Sequence, residues 1–155
     1  MLDSSGEEYS VTYKYDCFGR VIETTDEEGN TSHLSYDSNG NLKTVTDALG
    51  VVTETNVYDS MNRVSKVTDA LEGKSTITYT KNGNIQTLSD PNGGKTTYTY
   101  DSMNRRTKEV NPVGSTYTYT YNALGLLEEK KNARDDKTKY TYDKFLLDIR
   151  RLYDV

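Results

Sequence analysis

The stretch TTYTYDSMNR, Thr96 to Arg105, decides the fold. Tyr98 and Tyr100 lie two apart, so an extended strand puts both on one face and Thr97 and Thr99 on the other. Asp101, Ser102 and Asn104 follow, short polar side chains that bond to nearby backbone and reverse the chain. The stretch therefore reads as the end of one strand, a turn, and the entry to the next strand.

Working outward, the tyrosine before the turn recurs as Tyr15, Tyr36, Tyr58, Tyr79, Tyr100, Tyr121 and Tyr142, at a spacing of 21 residues and once of 22. Asp follows it in five copies, with Thr80 and Asn122 in the others. Four residues after the tyrosine stands Gly19, Gly40, Asn62, Gly83, Asn104 or Gly125, the residue types that adopt positive φ most readily. Six after it comes Val21, Leu42, Val64, Ile85, Arg106 or Leu127, which opens the second strand, with Arg106 the exception to an apolar position. Asp26, Asp47, Asp69, Asp90, Asn111 and Asn132, followed by Gly29, Gly50, Gly93 or Gly114, mark a second turn. In this second turn Gly73 is displaced by one residue and Asp135 replaces the glycine of the last copy. The long period has its extra residue near Thr55 to Val57, where Asn56 replaces an inward aromatic and a β-bulge would restore the register.

Two strands and two turns per period predict an all-β fold of tandem β-hairpins in one elongated, curved antiparallel sheet. Each hairpin alone is marginal, so neighbouring copies must stabilise one another. The expected organisation is a partial leading repeat over 1–14, six repeats over 15–141, and a degenerate terminal unit over 142–155. Phe145, Leu146, Leu147, Ile149 and Leu152 break the pattern there, and the tail is read as a cap, either a short helix over the sheet or a last strand. An open sheet has unpaired edges, so self-association, edge to edge or face to face and most simply a homodimer, is expected.

The phrase YDSNGNLKTVTDALG, Tyr36 to Gly50, resembles the YD repeat of the Rhs family, and the likeness extends from about Tyr15 to Asp143. That family includes bacterial polymorphic toxins, wall-associated proteins, components of insecticidal toxin complexes and the animal teneurins. The resemblance implies an arc of a spiralling shell, with other repeats of the same parent protein and an encapsulated polypeptide as partners, and a secreted or cell-surface setting. It also implies carbohydrate binding without identifying residues. Nothing after Asp143 matches the Pro- and Asp-rich segment that supports self-cleavage in that family.

Composition fits a thin core. Hydrophobic residues make up 33% of the 155, and 14 Tyr stand beside 2 Phe and no Trp, so tyrosine and β-branched aliphatics must supply the buried surface. The net charge of −5 argues against nucleic-acid binding, which needs a basic face. No run is long enough to span a bilayer, and MLDSSGEEYS lacks the pattern of a signal peptide, so any export signal is expected outside this segment of a longer protein.

Catalytic, cofactor and metal sites are not expected. His33 is the only histidine and Cys17 the only cysteine, so no His/Cys cluster for zinc and no serine or cysteine protease triad using a histidine of this chain is expected. His33 is read as an ordinary strand residue. The carboxylates recur with the period, as turn formers do. Asp37 to Asn41 alternates side-chain oxygens as a calcium loop would, but the twelfth position is Ala48 where a bidentate Glu is needed, so an Asx-type turn is expected. The candidate ligand-binding residues are Tyr98, Tyr100, Tyr117, Tyr119, Tyr121, Tyr140 and Tyr142, interspersed with Arg105, Arg106, Lys130, Arg134 and Lys139. Their rings offer apolar faces and hydroxyl edges to a glycan or a peptide; the competing reading makes them the packed ladder of the sheet. Two function classes follow, a structural shell segment and a binding module.

Overall fold

A computed structural model describes residues 10–142 and, for the backbone alone, 149–153. The chain divides into two units, Met1–Ser75 and Thr76–Val155. The first holds β1 (Thr12–Tyr15), β2 (Val21–Thr25), β3 (Thr31–Tyr36), β4 (Leu42–Thr46), β5 (Val52–Tyr58) and β6 (Val64–Asp69), paired antiparallel in chain order. The second takes in most of β7 (Lys74–Tyr79), then β8 (Ile85–Ser89), β9 (Lys95–Tyr100), β10 (Arg106–Val110), β11 (Thr116–Tyr121), β12 (Leu127–Lys131), β13 (Lys137–Tyr142) and β14 (Ile149–Tyr153), also in chain order. The fold is all-β, with antiparallel hairpins repeated in tandem. Of the tail, the backbone of 149–153 forms a strand beside β13; the rest of the degenerate segment, like 1–9 of the leading repeat, lies outside the described residues.

Both turns of the period are the same device. In the YD turn the Asp16 N–H donates to the Arg20 carbonyl at 2.9 Å and the Gly19 N–H to the Asp16 carbonyl at 3.1 Å; the second turn repeats this with Asp26, Gly29 and Asn30. This is the three-residue hairpin loop whose last residue takes positive φ. The carboxylate splints it: Asp37 Oδ1 accepts the N–H groups of Asn39 and Asn41, each at 2.9 Å, and Oδ2 accepts the Asn41 amide at 3.0 Å. The expected Asx turn is therefore what forms there. In the turn from Asp69 the displaced glycine is not the strained residue: Glu72 takes φ 62°, and Gly73 follows it where an added Cβ would meet Asp69 Oδ2 at 2.5 Å.

Each YD hairpin carries a β-bulge beside its tyrosine. Tyr15 pairs with Val21 and Lys14 with Glu23, leaving Ile22 as the extra residue. Lys43, Ser65, Gln86, Thr107 and Glu128 are extra in the same way. The 22-residue period has its additional bulge earlier than its composition suggests: Val45 pairs with Glu54 and Thr46 with Val52, so the inserted residue is Thr53 and not one of Thr55 to Val57. Thr53 sits there because its hydroxyl can donate to the Val45 carbonyl, at 3.3 Å.

No hydrophobic side chain among the described residues is fully buried, and Asn56, at 9% exposure, is the most enclosed residue. The thin core is thus one half-covered face. In the first unit that face carries Tyr36, Leu34, Val45, Glu54, Asn56, Tyr58 and Val67; the opposite face is a threonine and serine ladder, with Ser35 and Thr44 hydroxyls 2.5 Å apart.

Candidate functional site

The bulge explains how the tyrosine face is assembled. Strict alternation would place residues six and eight after the tyrosine on one side, but the extra residue at position seven resets the pattern, so the ninth joins the sixth. In the second unit this brings Leu88, Glu109 and Lys130 onto the tyrosine side, because Ile77 pairs with Leu88, Tyr98 with Glu109, Glu109 with Tyr117 and Tyr119 with Lys130. All seven candidate tyrosines lie on this one side and all are half-buried.

They divide into two sets. Between consecutive repeats the ladder stops short of the YD turn: β8 and β9 pair from Ser89–Lys95 only as far as Thr87–Thr97, and β12 and β13 only as far as Glu129–Lys139. Beyond that point the repeat tyrosine reaches back across the gap. The Tyr100 hydroxyl donates to the Ile85 carbonyl at 2.8 Å, Tyr121 to Arg106 at 2.7 Å and Tyr142 to Leu127 at 2.7 Å. In the first unit Tyr36 does the same to Val21 and Tyr58 to Leu42, both at 2.7 Å. A phenol thus replaces the backbone donor that the splayed strand no longer offers, so the hydroxyl is no minor feature of these residues. Burial raises the pKa of Tyr58 and of Tyr100, keeping both hydroxyls protonated as donors.

Among the described residues Tyr98, Tyr117, Tyr119 and Tyr140 make no such bond. Around three of them a cationic patch forms: the Arg106 guanidinium lies 5.6 Å from the Tyr98 ring centroid and 4.9 Å from that of Tyr119, and Lys130 Nζ lies 6.0 Å from Tyr117 and 5.9 Å from Tyr119. Glu109 closes it, 3.1 Å from Arg106 Nη1 and accepting from the Tyr119 hydroxyl at 3.4 Å. The exceptional Arg106 is therefore paired. Burial raises the Tyr119 pKa, with Arg106 opposing and Glu109 adding to the rise. Of the other interspersed cations, Arg105 belongs to a turn and covers the Tyr121 ring at 4.5 Å, Lys139 faces the opposite side opposite Glu129, and Arg134 is a turn residue. His33 is exposed on the threonine side, Nδ1 4.0 Å from Glu23 Oε2. Among the described residues no group of three His, Cys, Asp or Glu side chains converges.

A row of joints at the YD turns was not anticipated. Five residues after the tyrosine stand Arg20, Asn41, Arg63, Asn84, Arg105 and Leu126, an alternation visible in the sequence once sought. Arg20 pairs with Asp16 at 2.6 Å and lies 4.4 Å from the Tyr36 ring of the next repeat. Asn41 instead donates to Asn62 Oδ1 of the next repeat at 3.1 Å, and Asn39 does so at 3.0 Å. The Asp16 carboxyl lies below the usual range chiefly because it accepts the Arg20 N–H, and that of Asp37 chiefly through the Asn41 amide.

Comparison with known proteins defines the class. Residues 2–71 match the family model Teneurin YD-shell, and residues 79–116 match RHS Repeat. Over these two stretches the chain is similar to YD, or Rhs-type, repeats. Among solved structures it is similar to a crystal structure of TcdB2-TccC3-Cdc42, with a TM-score of 0.73 and 17% identity over 87% of this chain and 9% of that one. A crystal structure of TcdB2-TccC3 gives a TM-score of 0.67, with 17% identity over 86% and 9%. The Photorhabdus luminescens Tc holotoxin pore gives 0.52, with 16% identity over 92% and 10%. At these identities the likeness is one of fold, and the chain spans about a tenth of the length of the chains it matches. Curated proteins give no match.

Proposed function

We propose that this chain is a wall segment of a larger Rhs-type shell, a structural and non-catalytic part of a secreted or surface-displayed protein that encloses a polypeptide. The carrying observation is the tyrosine bond to the preceding repeat made within each unit, by Tyr36 and Tyr58 in the first and by Tyr100, Tyr121 and Tyr142 in the second, which gives the repeats of a unit their continuity without a buried core. The likeness of fold to Tc toxin structures supports the reading of an enclosed polypeptide and an export setting. The test is protection: the intact parent protein, co-expressed with a polypeptide encoded beside it, should shield that polypeptide from protease until the repeats are unfolded. A co-purified polypeptide cleaved at the rate of the free one would overturn the reading.

One observation favours a second reading, a glycan-binding module. Beside Tyr98 and Tyr100 lies an open trough of about 450 Å³ lined by Asn82, Asn84, Gln86, Asp101 and Asn104, an aromatic face among amides of the kind that suits a sugar ring. Chemical-shift changes at Tyr98 and Asn84 on adding glycans, lost in Tyr98→Ala, would support it; an unresponsive spectrum across a glycan panel would reject it.

A further inference from the structure

Two Asn–Gly pairs stand in the second unit, Asn82–Gly83 in the turn after β7 and Asn92–Gly93 in the turn after β8. Asn before Gly is the pair most prone to lose its side-chain amide, because a glycine without Cβ leaves its nitrogen open to the neighbouring carboxamide carbon. The two turns offer that reaction the same backbone. Gly83 takes φ 88° and donates its N–H to the Thr80 carbonyl at 3.0 Å; Gly93 takes φ 84° and donates to the Asp90 carbonyl at 3.1 Å. Both asparagines are exposed, and each is the residue before the left-handed glycine. Only the carboxamides differ. The Asn82 amide donates to Asn104 Oδ1 of the next repeat at 2.7 Å. Asn92 is held through its backbone, its N–H donating to Asp90 Oδ1 at 2.9 Å, and its carboxamide has no hydrogen-bond partner among the described residues.

We infer that Asn92 is a site of spontaneous deamidation and that the joint to Asn104 protects Asn82 from the same reaction. The Gly93 nitrogen attacks Asn92 Cγ and gives up its proton, the bond from Cγ to the amide nitrogen breaks, and the departing nitrogen takes up a proton and leaves as ammonia. Water then opens the resulting cyclic imide at either carbonyl. One opening leaves aspartate; the other leaves isoaspartate, with the chain routed through the side chain and longer by a backbone atom. Asp90 Oδ1 spans this loop, accepting the Asn92 and Gly94 N–H groups, each at 2.9 Å. Isoaspartate cannot keep both bonds, so the reaction loosens the hairpin of β8 and β9. At Asn82 the carboxamide must leave Asn104 before it can turn toward Gly83, which slows the attack by the worth of a hydrogen bond.

The full chain, folded and incubated in mildly alkaline buffer, should gain aspartate and isoaspartate at Asn92 about fivefold faster than at Asn82, as read by peptide mapping with mass spectrometry. In denaturant, where the turns are gone, the two rates should converge. Asn104→Gly keeps the left-handed turn and removes the acceptor. It should bring Asn82 up to the rate of Asn92 without changing Asn92 or the far-ultraviolet spectrum. Asn104→Asp, which retains an acceptor oxygen, should leave Asn82 protected. An Asn92 that reacts no faster than Asn82 in the folded chain, or an Asn82 that stays slow in folded Asn104→Gly, would overturn the proposal. So would a folded chain whose Asn92 stays intact while the unfolded chain reacts to completion.

Discussion

The turns Thr80–Asn84 and Asp101–Arg105, one repeat apart in the second unit, have the same backbone and different side-chain chemistry. In both, the first residue's N–H meets the fifth residue's carbonyl, at 2.8 and 3.0 Å, and the fourth residue has positive φ, Gly83 at 88° and Asn104 at 63°. In the first, the Thr80 hydroxyl accepts one bond, from the Asn84 N–H at 3.2 Å, and the Asn82 and Asn84 amides reach forward to Asn104 Oδ1 at 2.7 and 3.1 Å. In the second, the Asp101 carboxylate accepts the Met103 and Arg105 N–H groups and the Arg105 Nε, and the guanidinium covers the Tyr121 ring of the next repeat. The left-handed residue therefore fixes the turn, and the side chains around it choose how one repeat grips the next. One joint is an amide cluster and the other an ion pair laid on an aromatic ring.

The comparison breaks most severely if the tyrosine between these joints is removed. Tyr100→Ala deletes a half-buried ring and its hydroxyl's bond to the Ile85 carbonyl, so unfolding in denaturant should show a loss of about 2–4 kcal/mol. Asn104 comes next, since it supplies both the positive φ and the oxygen that collects two amides. Asn104→Ala should cost about 1–3 kcal/mol, and Asn104→Gly should recover only the backbone part.

Arg105→Met and Asn84→Ala sharpen the contrast at about 1 kcal/mol each. Only the arginine joint is ionic, so only the Arg105→Met loss should shrink as salt is raised. Acid distinguishes them by the smallest effect. Asp101 has its pKa lowered, first by the Arg105 N–H and then by the Arg105 side chain. A carboxyl whose folded pKa is depressed contributes stability above its unfolded pKa of about 4, and that contribution is lost as pH falls through the folded value. Amide shifts of Met103 and Arg105 should therefore titrate below about pH 4, while those of Asn82 and Asn84, capped by a hydroxyl, should hold still.

Much of this architecture was legible from the tyrosine period, because strand alternation, Asx turns and positive-φ residues are local properties. The turn aspartates, the left-handed residues other than Glu72, and the pairing of each tyrosine with the residue six later needed no tertiary information. What escaped was relational. The bulge at Ile22, Lys43, Ser65, Gln86, Thr107 and Glu128 has no residue signature, yet it decides that Glu109 and Lys130 share the face of Tyr98 and Tyr119. Thr53 was hidden likewise, since any residue of β5 could have been the extra one by count alone. The Arg and Asn joints become visible only when two periods are compared instead of one. The tyrosine stripe was found as a set of residues, but its division into anchored and unanchored members depends on where the inter-repeat ladder stops.

The central claim is that the repeat tyrosine hydroxyl closes the gap between consecutive repeats, and Tyr→Phe substitution tests it with the loss of a single atom. Denaturant unfolding of Tyr100→Phe and Tyr121→Phe should each show a loss of about 1 kcal/mol. The same change at Tyr98, whose hydroxyl has no partner among the described residues, should be neutral. Equal effects at all three positions, or none at Tyr100 and Tyr121, would contradict it.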